Sequence, residues 1–213
     1  MKIIWLGHAS FLIETGNTSI ITDPFDELTG YRIPRISADL VTVSHGHHDH
    51  NTVDWVLGKP QIISSPGMTQ FRDIEILGVP SFHDQKRGQL RGENTIFVFK
   101  AEDLVICHLG DLGHLLNPDQ LEAIGKVDVL LVPVGGTYTI SADEAVEVVS
   151  LIKPRVTIPM HYKTPPCTID VVPAEDFIQH YDQVAKLPYL ELSSQETDPL
   201  PEVVVLDYSY IDH

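Results

Sequence analysis

Val43-Ser44-His45-Gly46-His47-His48-Asp49-His50-Asn51 closes an apolar run that begins at Leu40. A buried strand predicted over residues 40–43 ends at this cluster and gives it a rigid base, while the loop beyond lets several side chains converge on one point. The pattern His-x-His-x-Asp-His offers four candidate metal ligands, His45, His47, Asp49 and His50, within six positions. Imidazole nitrogens with a carboxylate suit zinc, iron or manganese better than calcium or magnesium. One ion cannot comfortably take all four from so short a loop. The spacing suits two adjacent ions, with His45 and His47 on one and Asp49 and His50 on the other. A chance histidine-rich surface loop would not be ordered in this way at a strand end. His48, between ligands, is expected to point away.

Working outward, residues 2–6, 10–14 and 18–22 are apolar or β-branched runs that predict strands, with Thr15-Gly16-Asn17 as a hairpin connection. Residues 51–57 read as a short helix stopped by Gly58 and Pro60. Strands are predicted at 61–64, 74–77, 79–82, 95–100 and 104–107. Further on, Asn117-Pro118-Asp119-Gln120 has a capping residue, a proline at the first helical position and a capping-box glutamine, so a helix runs to Ile124 and stops at Gly125. A strand follows at 127–132. Ser141-Ala142-Asp143-Glu144 is a second capping box, opening a helix to about residue 152. Residues 155–160 form a strand leading into His161, Pro173 starts a last amphipathic helix, 197–201 is a polar loop and 203–206 a closing strand. No Gly-, Ser- or Pro-rich linker divides the chain, so residues 1–213 are expected to form one mixed α/β (α+β) domain.

Thirty acidic side chains against 14 basic ones give a formal charge of −16, which repels phosphate backbones and excludes a general nucleic-acid binder. Bound dications would cancel part of that charge. Cys107 and Cys167 are too few for a disulfide framework and read as reduced thiols. No apolar run is long enough to span a bilayer, and the first residues lack a signal-peptide pattern, so a cytoplasmic location is expected. A small-molecule substrate, no membrane partner and a possible homo-oligomer complete the expectation.

The cluster resembles the signature motif of the metallo-β-lactamase superfamily, and the likeness runs from Asp23 to His161. The resemblance implies a four-layer αββα sandwich of mixed sheets, with the site at one edge between them. His83, in Val79-Pro80-Ser81-Phe82-His83-Asp84, matches the family's third motif. Asp111, in Cys107-His108-Leu109-Gly110-Asp111, matches the bridging aspartate, and His161, in Ile158-Pro159-Met160-His161-Tyr162, matches the final histidine. The first ion would then take His45, His47 and His83, the second Asp49, His50 and His161, and Asp111 would bridge both. The two ions are expected to be Zn2+, with Mn2+ or Fe2+ tolerated. Three imidazoles leave an open place for water, and a water bridging two cations is ionised near neutral pH and attacks as a nucleophile. Asp111 matches the hydrolase branches rather than those with cysteine there, and His47 stands where diiron relatives carry glutamate.

The catalytic set implied is Asp49, Asp111 and His8, the last in Gly7-His8-Ala9-Ser10 as a substrate-facing group or proton donor on the first hairpin. Asp23, before Pro24, either orients the ligand loop or serves as a turn residue. His108 either supports Asp111 or fills the core. His114, His180 and His213 are expected at the surface. Within the superfamily the chain is similar to small Zn-dependent hydrolases related to L-ascorbate-6-phosphate lactonase, through Leu6-Gly7-His8-Ala9-Ser10-Phe11, His108-Leu109-Gly110-Asp111, Val132-Pro133-Val134-Gly135-Gly136-Thr137-Tyr138-Thr139 and Pro159-Met160-His161-Tyr162-Lys163-Thr164. That implies cleavage of an ester, lactone or phosphoester bond in a small anionic substrate. Lys86, Arg87 and Arg91 form a basic stretch after His83, and Arg87 or Lys163 would hold a phosphate or carboxylate unless they are only solvated charges. Gly135-Gly136-Thr137 either presents backbone amides or makes a turn. Three rivals fit less well. A tRNA-processing nuclease needs a basic grip, a non-catalytic metal-binding protein would have lost a ligand, and a glyoxalase-II-like thioesterase needs a longer C-terminal region.

Overall fold

The computed structural model describes residues 1–196 and 199–208. His213 and the first two residues of the predicted loop 197–201 lie outside them. From the N-terminus run β1 (Lys2–Gly7), β2 (Ser10–Thr15), β3 (Thr18–Thr22), β4 (Leu40–Thr42) and β5 (Gln61–Ile63). Then follow β6 (Gly67–Phe71), β7 (Ile74–Phe82), β8 (Glu93–Ala101), β9 (Leu104–His108), β10 (Val129–Pro133), β11 (Val156–Met160) and β12 (Val184–Leu187). The last two strands are β13 (Leu190–Glu191), which returns to β1, and β14 (Val203–Leu206). One sheet has the order β13-β1-β2-β3-β4-β5, the other β12-β14-β11-β10-β9-β8-β7-β6. Both are mixed: β1–β2–β3 is an antiparallel meander continued by parallel β4 and β5, and β6–β9 is an antiparallel meander continued by parallel β10, β11, β14 and β12.

Alternation along the first sheet explains its layers. Ile3, Trp5, Phe11, Ile13, Ile20 and Leu40 face the second sheet and share its core with Ile96, Phe97, Phe99, Ile106 and Leu131. Their neighbours Ile4, Leu6, Leu12, Ile21 and Val41 point the opposite way and pack under Phe25, Tyr31 and Trp55 from the loops. Both faces of this sheet are therefore apolar, as a sheet covered on both sides requires. The mixed sandwich is as expected. Its helices are few: α1 (Pro118–Ile124) lies beside β7, α2 (Ala142–Ile152) lies on β10, and α3 (Glu175–Ile178) packs on α2. Both capping boxes form, at Asn117/Gln120 and Ser141/Glu144. Among the described residues no helix is long and apolar enough to cross a membrane.

Three local expectations are corrected. Residues 51–57 are not a helix. Only a 3-10 turn forms, at Val53–Trp55, because Thr52 and Leu57 donate their amides to Pro24 and Ile36 instead of to helical acceptors. The strands expected at 74–77 and 79–82 are one strand. Gly78 does not break it; a Cβ there would lie 2.9 Å from the Pro66 Cα and the Ser65 carbonyl, so glycine admits the start of β6. The helix expected from Pro173 is the single turn of α3, after which the chain extends into β12.

Candidate metal centre

Strand ends from both sheets meet at one edge. From the first sheet come the β1–β2 turn with His8, Asp23 after β3, and the His45–His50 loop after β4; from the second come His83 after β7, Asp111 after β9 and His161 after β11. Bonds across the sheets fix this edge. Thr95 N donates to Ser44 O (2.9 Å), His161 N to His8 O (3.1 Å), and the His108 ring to Ala9 O (2.8 Å). His8, Asp23 and His161 all have left-handed backbones (φ 52°, 39° and 53°). Such conformations cost a non-glycine residue roughly 1–3 kcal/mol each and persist where the surroundings over-determine them.

Asp111 is the hub. Its Oδ2 lies 3.2 Å from both His83 Nε2 and His161 Nε2, and its Oδ1 lies 3.2 Å from His50 Nε2. On one side His45 Nε2 is 3.0 Å from His47 Nδ1, and His83 completes a group whose donor atoms lie within 4.8 Å of one another. On the other side Asp49, His50 and His161 form a second such group, which His8 joins. The seven residues expected as ligands are thus brought together, six of them in two groups, one of which also takes in His8, with Asp111 beside both.

Hydrogen bonds orient the rings. Asp23 is fully buried; it accepts from Ser44 N (2.7 Å), from Ser44 Oγ (2.5 Å) and from His50 Nδ1 (2.8 Å). Ser44 Oγ, its proton committed to Asp23, accepts from His45 Nδ1 (3.0 Å). Both imidazoles therefore turn Nε2 toward the centre, where the neutral ring would offer it as a lone pair. Asp23 orients the ligand loop through a ring and a backbone amide together, rather than serving only as a turn.

Burial pulls His45 down to about 3 and His8 down to about 4, with neighbouring histidines adding to the effect, and partial burial lowers His47. These rings are neutral at pH 7, as metal ligands must be. Burial opposes charge on His50, yet Asp111 and Asp23 outweigh it and raise His50 well above 6.5. Burial likewise opposes ionisation of Asp111 and Asp49. The charges of His161 and His50 hold Asp111 well below the usual range, and the His8 hydrogen bond with the His50 charge holds Asp49 low. The centre thus gathers ionised carboxylates, the neutral rings of His8, His45 and His47, and a His50 ring that its carboxylate neighbours hold protonated. Among the described residues the buried Asp111 Oδ1 faces His50 Nε2 at 3.2 Å without a well-aligned hydrogen bond. Donors around a zinc ion bound at about 2.0–2.1 Å sit roughly 3.3 Å apart, close to the separations here, so the residues fit bound cations.

Residues 2–161 match the family model described as the β-lactamase superfamily domain. The chain belongs to the metallo-β-lactamase superfamily. Within the superfamily it groups with the UPF0173 metal-dependent hydrolases. One such protein of Pyrococcus furiosus is 31% identical, over 90% of this chain and 96% of its own length. A second P. furiosus UPF0173 protein is 35% identical, over 77% of this chain and 84% of its own. A crystal structure from Thermotoga maritima, described as a proposed Zn-dependent hydrolase of the superfamily, superposes with a TM-score of 0.81 at 44% identity, covering 96% of this chain and 97% of that one.

Several supports of this metallo-β-lactamase centre carry no sequence signal of their own. Asn94, buried in β8, donates to Ser81 Oγ and Leu109 O and accepts from Asp111 N (3.0 Å), holding the hub in place. Asp84 gathers the amides of Lys86, Gly88, Leu90 and Arg91 and so shapes the loop after His83. His108 resolves into a support. While its Nε2 reaches Ala9, its Nδ1 accepts from Gly110 N (3.1 Å), one residue before Asp111. His114, expected at the surface, is half-buried because its Nε2 accepts from Phe82 N and secures the end of β7. His48 is exposed and bonds Asp26, away from the ligands. His180 is exposed beside Asp143. Lys163 Nζ donates to Ile169 O, whereas Arg87 is exposed on the loop after His83.

The Gly135-Gly136-Thr137 segment is a turn, with Tyr138 N and Thr139 N folded back onto Gly136 O. Its chemical importance lies in Gly135. A Cβ there would sit 2.0 Å from the His161 carbonyl and 2.9 Å from the Val171 Cβ. Gly135→Ala is expected to push His161 out of register, destabilise the fold by about 1–3 kcal/mol and lower metal content. Denaturant midpoints and metal analysis check this; an unchanged metal content would show that His161 tolerates the shift.

Proposed function

We propose that the chain is a two-metal hydrolase of a small anionic substrate, cleaving an ester, lactone or phosphoester bond. The observation that carries this reading is the single carboxylate of Asp111 shared between two separate imidazole sets. His45, His47 and His83 would hold one ion and Asp49, His50 and His161 the other, with Zn2+ favoured by the ligand types and Mn2+ or Fe2+ accommodated. When bound, such ions polarise the scissile group and acidify a coordinated water. The protein's own part is positional. Asp111 and Asp49 supply the negative charge that keeps two dications close, and Asp23 presents Nε2 of His45 and His50. Buried Trp5 packs against Tyr31 and Tyr162 and donates its indole N–H to the His8 carbonyl, so the side of the site behind His8 is apolar and closed. Substrate would enter past His47, the exposed ligand.

An anionic substrate fits the local charge. In a chain of formal charge −16, Lys86, Arg87 and Arg91 cluster on the loop that leaves His83, and Arg91 is tied to Thr137 O (3.2 Å) and lies over the Tyr138 ring. The lactone option rests on the sequence likeness of residues 132–139 and 159–164 to the ascorbate-6-phosphate lactonase group. An activity screen across lactones, phosphodiesters and thioesters tests the proposal, on metal-analysed protein with Asp49→Ala as the blank. Turnover of one class by the wild type, abolished in Asp49→Ala and by a chelator, is the expected result. Activity that survives Asp49→Ala would defeat the mechanism, and an Arg87→Ala enzyme with unchanged KM for anionic substrates would remove Arg87 from it.

A further inference from the structure

His8 occupies the turn between β1 and β2, 1% exposed and in a left-handed backbone. Two donors grip its carbonyl: the Trp5 indole at 2.9 Å and His161 N at 3.1 Å. The second bond ties His8 directly to a residue of the second ligand group. Its ring lies 4.2 Å from the His161 ring and 4.9 Å from the His50 ring, centroid to centroid. Its Nε2 is 3.2 Å from His50 Nε2 and 3.3 Å from Asp49 Oδ2. The donor atoms of His8, Asp49, His50 and His161 all lie within 4.8 Å of one another.

A group meant to pass protons to substrate should turn a nitrogen toward the open side. His8 Nε2 instead points between His50 and Asp49, and among the described residues its buried Nδ1 has no hydrogen-bond partner. With His50 Nδ1 committed to Asp23, Nε2 is the His50 nitrogen turned toward the centre, beside His8 Nε2. We propose that His8 is a protein ligand of the second ion, which makes the two positions unequal. This inference rests on the two-ion reading. The second position would hold His8, Asp49, His50 and His161 beside Asp111, deep in the sandwich. The first would have three imidazoles, one of them the exposed His47, and would be the site that exchanges its ion and meets substrate.

The test uses the full chain, stripped and reloaded with Zn2+ or Co2+, as wild type, His8→Ala, His8→Asn and His47→Ala. Asparagine tolerates a left-handed backbone, so His8→Asn separates loss of a ligand from loss of the turn. Wild type should keep one equivalent through chelator dialysis that removes the other. Both His8 variants should lose the retained equivalent, with apparent affinity down about 100-fold or more, since even supporting partners of ligands cost 10–100-fold. The Co2+ absorption of that position should change, and the melting-temperature rise on metal loading should shrink while stripped His8→Asn melts near wild type. His47→Ala should lose the exchangeable equivalent alone. Retention of the tight ion with an unchanged Co2+ spectrum in both His8 variants would overturn the assignment. Wild type that binds a single equivalent whose spectrum responds to His8 would defeat the two-ion reading and leave His8 a ligand.

Discussion

Asp111→Asn is expected to reduce turnover by about a thousandfold or more and to cost the protein at least one ion. The side chain is 2% exposed and meets three imidazole nitrogens at 3.2 Å, drawn from both ligand sets. An asparagine of the same shape keeps the packing and the Asn94–Asp111 backbone bond. It replaces a carboxylate with a neutral amide whose N–H2 cannot serve as a ligand. On the two-ion reading, losing the carboxylate that would hold the dications forfeits metal stabilisation of the transition state worth several kcal/mol, and each 1.36 kcal/mol is a factor of ten in rate. His50 should respond as well, because Asp111 is the charge that most strongly raises its pKa. The readouts are kcat on whichever substrate class the screen identifies, and metal content of the same preparation. A variant that kept both ions and a tenth of the activity would remove Asp111 from the hub.

Much of this centre could be read from residue order because its candidate ligands sit where strands stop. Leu40–Thr42 is buried and runs on into apolar Val43, so its end is visible, and the first candidate ligand, His45, comes three residues after Thr42. The capping boxes at Asn117 and Ser141 were visible for a local reason: each satisfies amides only three residues away. What stayed hidden is non-local. Asn94 lies mid-strand and becomes recognisable only when Ser81, Leu109 and Asp111 surround it. Gly113 and Gly135 look like ordinary turn glycines, yet each leaves space for the backbone of a candidate ligand, His83 in one case and His161 in the other. Strands β6, β12 and β13 went unread because they are short or largely exposed and lie at sheet edges, where burial imposes no clean alternation. The failed helix at 51–57 has the same cause in reverse. Its local pattern was helical, but its amides had better partners in Pro24 and Ile36.

Asp23→Ala is expected to be the most destabilising single change at the site, by roughly 3–5 kcal/mol, and to release both ions. Three hydrogen bonds end on this fully buried carboxylate, and removing it strands the Ser44 amide and the His50 Nδ1 proton without acceptors. Each such buried group costs about 1–3 kcal/mol, and breaking a buried charge pair reaches the upper part of that total. On the two-ion reading both positions would be affected, because Asp23 orients His50 directly and His45 through Ser44 Oγ. The pH profile of the stripped protein tests the same pairing. His8, His45 and His47 are lowered in the fold, so their contribution falls away as pH drops below about 6.5. Asp23 and Asp111 are also depressed, so their contribution, present above about 4, is lost as pH falls through their folded values. His50 is raised, so its contribution is complete below about 6.5 and disappears as pH climbs through its folded value. Wild-type stability should therefore peak near pH 6.5. In Asp23→Ala the alkaline slope should flatten, because one of the two carboxylates that raise His50 is gone. Melting temperatures from pH 3 to 9 would show it, and a variant with the wild-type profile would mean that the buried Asp23–His50 pair carries no energetic weight.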